Sequence, residues 1–124
     1  MFRNTVTVYN AVKSGYETIY IPKVLENVEL QINNTVTSSK TSQNPASKAT
    51  LFIKMRDDYI PPKIWRETEN KADFFTLDIG DFFVEGAVTS DCQEIMKSGE
   101  NVYKITGIMP VISSNLSHWE VTGA

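Results

Sequence analysis

Apolar and polar residues alternate along much of this chain, and this period of two constrains its fold more than any other feature. The clearest case is the stretch 27–33, where Val28, Leu30 and Ile32 alternate with polar neighbours. Successive side chains of a strand point to opposite faces, whereas a helix repeats every 3.6 residues. The alternation therefore predicts amphipathic strands, each with one buried face.

Alternation and turn-forming residues together predict a series of strands. We expect them at about 3–11, 15–22, 26–36, 49–56, 74–78, 81–88, 101–109 and 117–122. Pro22 and Pro110 are expected to end strands, because proline has no N–H to donate to a central ladder. Short helices are expected at 62–70, where proline suits the first turn, and at 91–98, which starts at an aspartate.

These elements predict an all-β, or β-rich α+β, fold: a small antiparallel β-barrel or sandwich with one or two short helices. A chain of 124 residues fits one domain, spanning 1–124. Residues 37–49 are nearly all small or polar, which predicts a long flexible loop. That loop is either a solvated hairpin tip or a segment that becomes ordered when a neighbouring subunit docks.

Two phenylalanine pairs, Phe74-Phe75 and Phe82-Phe83, add a constraint on the barrel. Adjacent residues of a strand face opposite ways, so one ring of each pair points away from the main core. The outward-facing ring must therefore be shielded from water by other groups. The pairs therefore predict a closed barrel with a helix packed outside it, or an outer face buried by a partner.

Charge and cysteine content narrow the classes of partner. The net charge is −3, and no Lys/Arg run suggests the basic face of a sequence-specific nucleic-acid binder. No apolar run approaches the ~18 residues of a membrane span, and the N-terminus does not resemble a signal peptide. The single cysteine, Cys92, excludes an intrachain disulfide and fits a reducing compartment, so we expect the protein in a cytoplasm.

Residues that could carry catalysis are few. One histidine and one cysteine cannot build a His- or Cys-rich zinc site, and the common nucleotide-binding, zinc-protease and serine-hydrolase motifs are missing. His118 is expected on the outer side of a strand as an ordinary surface histidine. Cys92 has acidic neighbours, which raise a thiol pKa, so we do not expect it to act as a nucleophile.

Two pairs of carboxylates, Asp57-Asp58 and Asp78/Asp81, lie where the sequence predicts turns, and Asp78 and Asp81 are expected to cap the backbone of the glycine turn between them. A glycosidase or a hard-cation site needs carboxylates that converge in a cleft. We therefore predict no catalytic, cofactor-binding or metal-binding residues, no cofactor, and a protein that is not an enzyme. A small hydrolase that uses paired carboxylates is kept as an alternative.

Several segments also carry a family resemblance, namely 3–10, 59–65, 75–86, 101–108 and 118–124. Together they resemble a family of small tailed-phage and prophage proteins encoded in the head–tail module. The order Gly-Asp, strand, Gly, then Val-Tyr-x-Ile is also similar to the layout of head-closure and head–tail joining proteins. The likeness extends over most of the chain.

This resemblance implies a structural virion protein at the head–tail interface, of the connector, stopper or tail-completion type. Its implied partners are other phage structural proteins, including connector and tail proteins, and further copies of itself in a ring. It would be made in the bacterial host cytoplasm and would bind neither membrane nor specific nucleic-acid sequences. A generic β-rich ligand- or peptide-binding module is the alternative.

Overall fold

The computed structural model describes residues 3–32, 49–87, 102–112 and 117–124. Six antiparallel strands in these ranges form a closed barrel with the spatial order β1-β2-β3-β6-β5-β4. The strands are β1 (Asn4–Ser14), β2 (Glu17–Ile32), β3 (Ala49–Lys54), β4 (Phe82–Glu85), β5 (Val102–Val111) and β6 (His118–Gly123). The all-β barrel that the alternation predicted is confirmed.

A short helix and one turn of 3-10 helix lie in the connection between β3 and β4. The helix, α1, covers Pro62–Glu67, with its proline in the first turn as expected, and the 3-10 turn covers Lys71–Asp73. Trp65 is the buried residue of α1, and Lys71 Nζ lies 5.9 Å from the centre of its ring. The predicted helix at 91–98, and the predicted loop at 37–49 up to Ala49, lie outside the described residues.

The inward side of the alternation fills the barrel. The fully buried core side chains from the strands include Val6, Val8, Leu25, Val28, Leu51, Ile53, Phe83, Ile105 and Val121. Burying an aliphatic or aromatic side chain of this kind stabilises a fold by roughly 1.5–3 kcal/mol. This set is therefore the main source of the barrel's stability.

A second cluster lies on the outer side of the barrel, as the pair Phe82-Phe83 predicted, and the described side chains that cover Phe82 come from β1, β2 and β5. This outer cluster consists of Tyr9, Phe82 and Val84, with Tyr20 and Val102 packed against it. The rings of Tyr9 and Phe82 are stacked, with centroids 5.0 Å apart and planes 10° from parallel. Within β4, Phe83 therefore belongs to the inner core and its neighbour Phe82 to the outer cluster.

Strand β2 differs from the prediction in being one continuous strand of 16 residues rather than two. Pro22 does not end a strand, because it lies inside β2 opposite Tyr9. β3 pairs with β2 only from Glu29 onwards, so among the described residues Pro22 has a ladder on just one side of its strand. A proline is tolerated at such an edge position. Pro110 likewise lies inside β5, opposite Trp119.

The predicted strand at 74–78 is wrong. Phe75 and Leu77 are buried in the core, so the alternation was real, but within the described residues the segment makes only one isolated bridge, with Tyr59. Phe75 donates its N–H to the Asp58 carbonyl at 2.9 Å and accepts from the Ile60 N–H at 3.0 Å. Alternation indicates that one face is buried, and here no strand in the described ranges lies beside the segment to extend the ladder.

Glycines at two barrel positions allow a test of the packing. A Cβ added to Gly123 would lie 2.8 Å from Tyr103 Cβ and 3.0 Å from the Phe83 ring, which cannot easily move. A Cβ added to Gly107 would lie 2.5 Å from the Thr122 hydroxyl, and a change of the Thr122 rotamer relieves this clash at the loss of an exposed 3.4 Å contact with the Thr106 hydroxyl. Overpacking a core costs about 1–3 kcal/mol, so we expect Gly123→Ala to lose that much unfolding free energy in urea titrations.

The matched variant Gly107→Ala is expected to lose clearly less unfolding free energy, because its close neighbour is a rotatable side chain. Equal losses in the two variants would contradict this account of the Phe83–Tyr103 packing.

Candidate functional site

The unequal lengths of β1 and β4 create a projecting hairpin. Strand β4 has 4 residues, and its pairing with the 11-residue β1 ends at Tyr9 and Phe82. β1 and β2 continue to pair with each other beyond that point. Residues 10–21, called the arm below, therefore have no strand beside them on either edge within the described part of the chain.

The arm presents apolar side chains to solvent. Tyr16, in the turn at its tip, is fully exposed, and Ile19 is 49% exposed. Val12 pairs with Ile19 across the hairpin and is half-buried. Unpaired strand edges with exposed apolar side chains are sites at which other chains can add.

The base of the arm is held to the barrel by the side chain of Asn10, which is 1% exposed. Asn10 Nδ2 donates to the Thr76 carbonyl at 2.7 Å, and Asn10 Oδ1 accepts from the Thr76 N–H at 3.1 Å. A carboxamide has the same donor–acceptor pair as a peptide group, so Asn10 takes the place of a missing strand neighbour.

Asp81 completes this contact. Its Oδ2 accepts from Asn10 Nδ2 at 2.9 Å, and its Oδ1 accepts from the Ala11 N–H at 3.2 Å. Its backbone N–H donates to the Asp78 carbonyl, and its own carbonyl accepts from the Ile105 N–H at 2.8 Å. The group formed by the side chains of Asn10 and Asp81 with the backbone of Thr76 and Ala11 is called the Asn10 clamp below.

Burial raises the pKa of Asp81 to about 6, and the nearby charge of Asp78 also raises it. The hydrogen bonds from Asn10 and Ala11, together with the more distant Arg66, lower this pKa but do not restore its ordinary value. Ionised Asp81 is therefore stabilised by its partners less than it would be by water.

A cleft of about 580 Å³ opens beside the clamp. One wall is the arm, from Ala11 to Lys13, and the other is the turn at 78–81 with Arg66 of α1. Arg66 Nη1 donates to Asp78 Oδ2 at 3.3 Å in an exposed ion pair. The cleft thus combines a free strand edge, an apolar strip and charges of both signs.

Of the described residues singled out in the sequence, Asp78 and Asp81 line the same cleft, and Asp57, Asp58 and His118 are not among its lining residues. Asp58 is held by Arg56, which donates to both of its oxygens at 2.7 and 3.1 Å, while Asp57 is exposed. His118 is less exposed than expected: its side chain is 17% exposed, with Nε2 3.6 Å from Glu120 Oε2. Cys92 lies outside the described residues.

The second pair of carboxylates has two separate roles. Asp78 caps its own turn as expected, since its Oδ1 accepts from the Ile79 N–H at 3.0 Å. Asp81 was also predicted to cap its turn, but its side chain bonds to β1 instead.

Sequence reasoning missed Asn10, although a signal existed. Val6, Val8 and Asn10 have the same inward phase of the alternation, and a polar residue at a buried position needs hydrogen-bond partners.

The described residues lack the features of two further kinds of site. In the four described ranges, no three His, Cys, Asp or Glu side chains group as metal ligands would. No helix found among those residues has the length and apolarity needed to cross a bilayer.

Comparison with known proteins identifies the family. The chain belongs to DUF6751, a family of unknown function, whose pattern matches residues 1–124. Neither the comparison with curated proteins nor the comparison with solved structures found a match.

Replacing Asn10 tests whether the clamp holds this part of the fold. Asn10→Ala leaves the buried Thr76 N–H and carbonyl without the partner they have now, and each unsatisfied group costs about 1–3 kcal/mol. We expect a loss of about 2–4 kcal/mol in unfolding free energy, measured by urea titration. The exposed Asn70 provides the control, and Asn70→Ala is expected to change stability by less than about 0.5 kcal/mol. Similar small losses in both variants would refute the clamp.

Proposed function

We propose that this protein is a structural subunit that works by binding other protein subunits, and that its setting is the head–tail interface of a tailed phage or prophage. The observation that carries the proposal is the arm, a projecting two-stranded hairpin with Tyr16 and Ile19 exposed. The resemblance of the sequence to head–tail module proteins supplies the setting.

The arm has the features of a contact surface rather than of a barrel component. A two-stranded hairpin alone is marginally stable in water, so a projecting one benefits from a partner. Tyrosine is enriched at protein interfaces, because it buries a large rigid ring and keeps a hydroxyl for hydrogen bonding. Tyr16 contributes nothing to the barrel core, since its side chain is fully exposed.

The partners we propose are further copies of this chain in a ring, together with connector and tail proteins. Contacts that repeat around a ring are head-to-tail, so one surface of each subunit meets a different surface of the next. A projecting arm suits that geometry, because it can reach a neighbour without distorting the barrel. The role would be that of a connector, stopper or tail-completion protein, made in the host cytoplasm and carried in the virion.

The test replaces the exposed side chains of the arm in a phage or prophage that carries the gene. We expect the double variant Tyr16→Ser/Ile19→Ser to reduce the yield of joined head–tail particles more than tenfold, counted by electron microscopy. Its purified form should melt within about 3 °C of the unmodified protein, because exposed residues contribute little to stability.

The control is Ile64→Ser on α1, which removes a comparably exposed isoleucine, 54% exposed, away from the arm. This variant should join heads to tails normally. Normal particle yields from the arm variant would overturn the proposed role of the arm.

A second candidate function, a peptide-binding module, is favoured by the cleft. Its wall from Ala11 to Lys13 has no strand beside it among the described residues, although the Ala11 N–H is bonded to Asp81, and such edges bind extended peptides by adding a strand. In that case the isolated chain would bind extended peptides, with NMR shift changes at Ala11–Lys13 and Ile79, and the variant Tyr16→Ser/Ile19→Ser would bind them equally well.

A further inference from the structure

The Asn10 clamp attaches the arm to the barrel through buried polar groups, and a carboxylate forms half of it. Both oxygens of Asp81 accept hydrogen bonds from the base of the arm, from Asn10 Nδ2 and from the Ala11 N–H. Asp81 is only 6% exposed, and the arm forms the facing wall of its cleft. Moving the arm away would therefore replace two protein donors by water and hydrate the carboxylate.

The geometry also provides a place for such a movement. Tyr9 and Pro22 are the last pair of the hairpin at which β1 still has β4 beside it. Beyond them, the two strands of the arm pair only with each other among the described residues. Bending at this level would leave the barrel ladder intact, but it would break the Asn10 clamp and disturb the packing of Tyr20 on Phe82.

The charges that face Asp81 come from three elements and do not neutralise it. Asp78 lies on its own segment and repels its charge, while Arg66 of α1 attracts it. Arg66 is bonded to Asp78, at 3.3 Å, rather than to Asp81. Lys13 of the arm lines the same cleft and is exposed to solvent.

We propose that the Asn10 clamp is a proton-linked hinge, in which loss of a proton from Asp81 favours release of the arm and binding of a proton favours its docking. This inference stands on the clamp geometry and does not require the assembly function. It adds regulation to the arm: the same hairpin would be held more firmly in mildly acidic solution than at neutral pH.

The direction of the pH effect follows from the linkage between proton binding by Asp81 and docking of the arm. Asp81 has a pKa raised from 3.8 to about 6 while the arm covers it, and release of the arm returns it towards 3.8. The docked state therefore binds the proton more tightly, and its advantage is fully present below pH 3.8 and lost as the pH rises through about 6. For these two values, the ratio of released to docked arm increases about tenfold between pH 5 and pH 7.5.

Nuclear magnetic resonance on the isolated chain can test each part of this proposal. The Cγ carbon shift of Asp81 should titrate with a midpoint near 6. The Ala11 amide donates to Asp81, so its hydrogen-exchange protection, corrected for the intrinsic rate at each pH, reports release of the arm. We expect that protection to fall about tenfold from pH 5 to pH 7.5, while protection of the buried Val121 amide changes less than about twofold.

Two variants separate the hinge from ordinary titration. Asp81→Asn cannot ionise, so the pH dependence of Ala11 protection should disappear. Asp78→Asn keeps the hinge but removes a repelling charge, so the pH dependence should persist with its midpoint at lower pH. If Asp81→Asn does not fold, the unmodified chain still decides the question through its own titration and exchange data.

Three results would overturn the proposal. One is an Asp81 midpoint near 4, and another is an Ala11 protection factor that does not change with pH. The third is a parallel loss of protection at Ala11 and Val121, because that would mean the whole barrel opens rather than the arm.

Discussion

Closure of the barrel depends on β4, whose 4 residues must join an 11-residue strand to a 10-residue one. An unpaired backbone amide or carbonyl in a buried position is costly, so the chain must satisfy β1 and β5 where β4 stops. Within the described residues, it does so immediately beyond the end of β4. The Asn10 side chain pairs with Thr76, and Ile105 exchanges backbone hydrogen bonds with Gly80 and Asp81. The projecting arm and the cleft beside it are consequences of this short strand.

The same strand divides the apolar side chains into two layers. Phe83 lies with the main core, while Phe82 stacks on Tyr9 outside the barrel wall. Stacked and edge-to-face aromatic pairs contribute about 0.5–1.5 kcal/mol beyond the area they bury. The outer cluster therefore anchors β1 and β4 to each other at the level where their ladder ends. Just before the arm begins, apolar side chains therefore join β1 to β4 both inside and outside the barrel wall.

The sequence was sufficient for the fold class because alternation measures burial directly. Val6, Val8 and Val28 are inward in the structure as their phase indicated. The same signal could not distinguish Phe75, which is buried without a strand beside it, from a true strand residue. Pairing partners are a property of the whole chain, and no local pattern records them. For that reason the single long β2, with Pro22 inside it, was also missed.

The candidate site was less predictable than the fold. Asp81 was noticed as one member of a carboxylate pair, but its partner is Asn10, which lies far away in the sequence. Neither residue belongs to a recognisable motif, so neither of them marked a functional site by itself. The contact between them forms only because β4 is short enough to leave this part of β1 without a neighbouring strand. That length is set by three-dimensional closure, which spacing along the chain does not show.

The order of the strands has a consequence for how the chain reaches this structure. The hairpin of β1 and β2 is local, and hairpins form in roughly 1–10 μs. The seams of the barrel are not local, because Leu51 pairs with Val121 and Tyr9 pairs with Phe82. Contacts between distant segments form slowly, since long loops must close first. We therefore expect the hairpin to form transiently before the barrel closes, and during that interval its unpaired edges and its exposed Tyr16 and Ile19 are open to other unfinished chains. The speed of barrel closure, rather than the final stability, sets how long the newly made protein is vulnerable to aggregation.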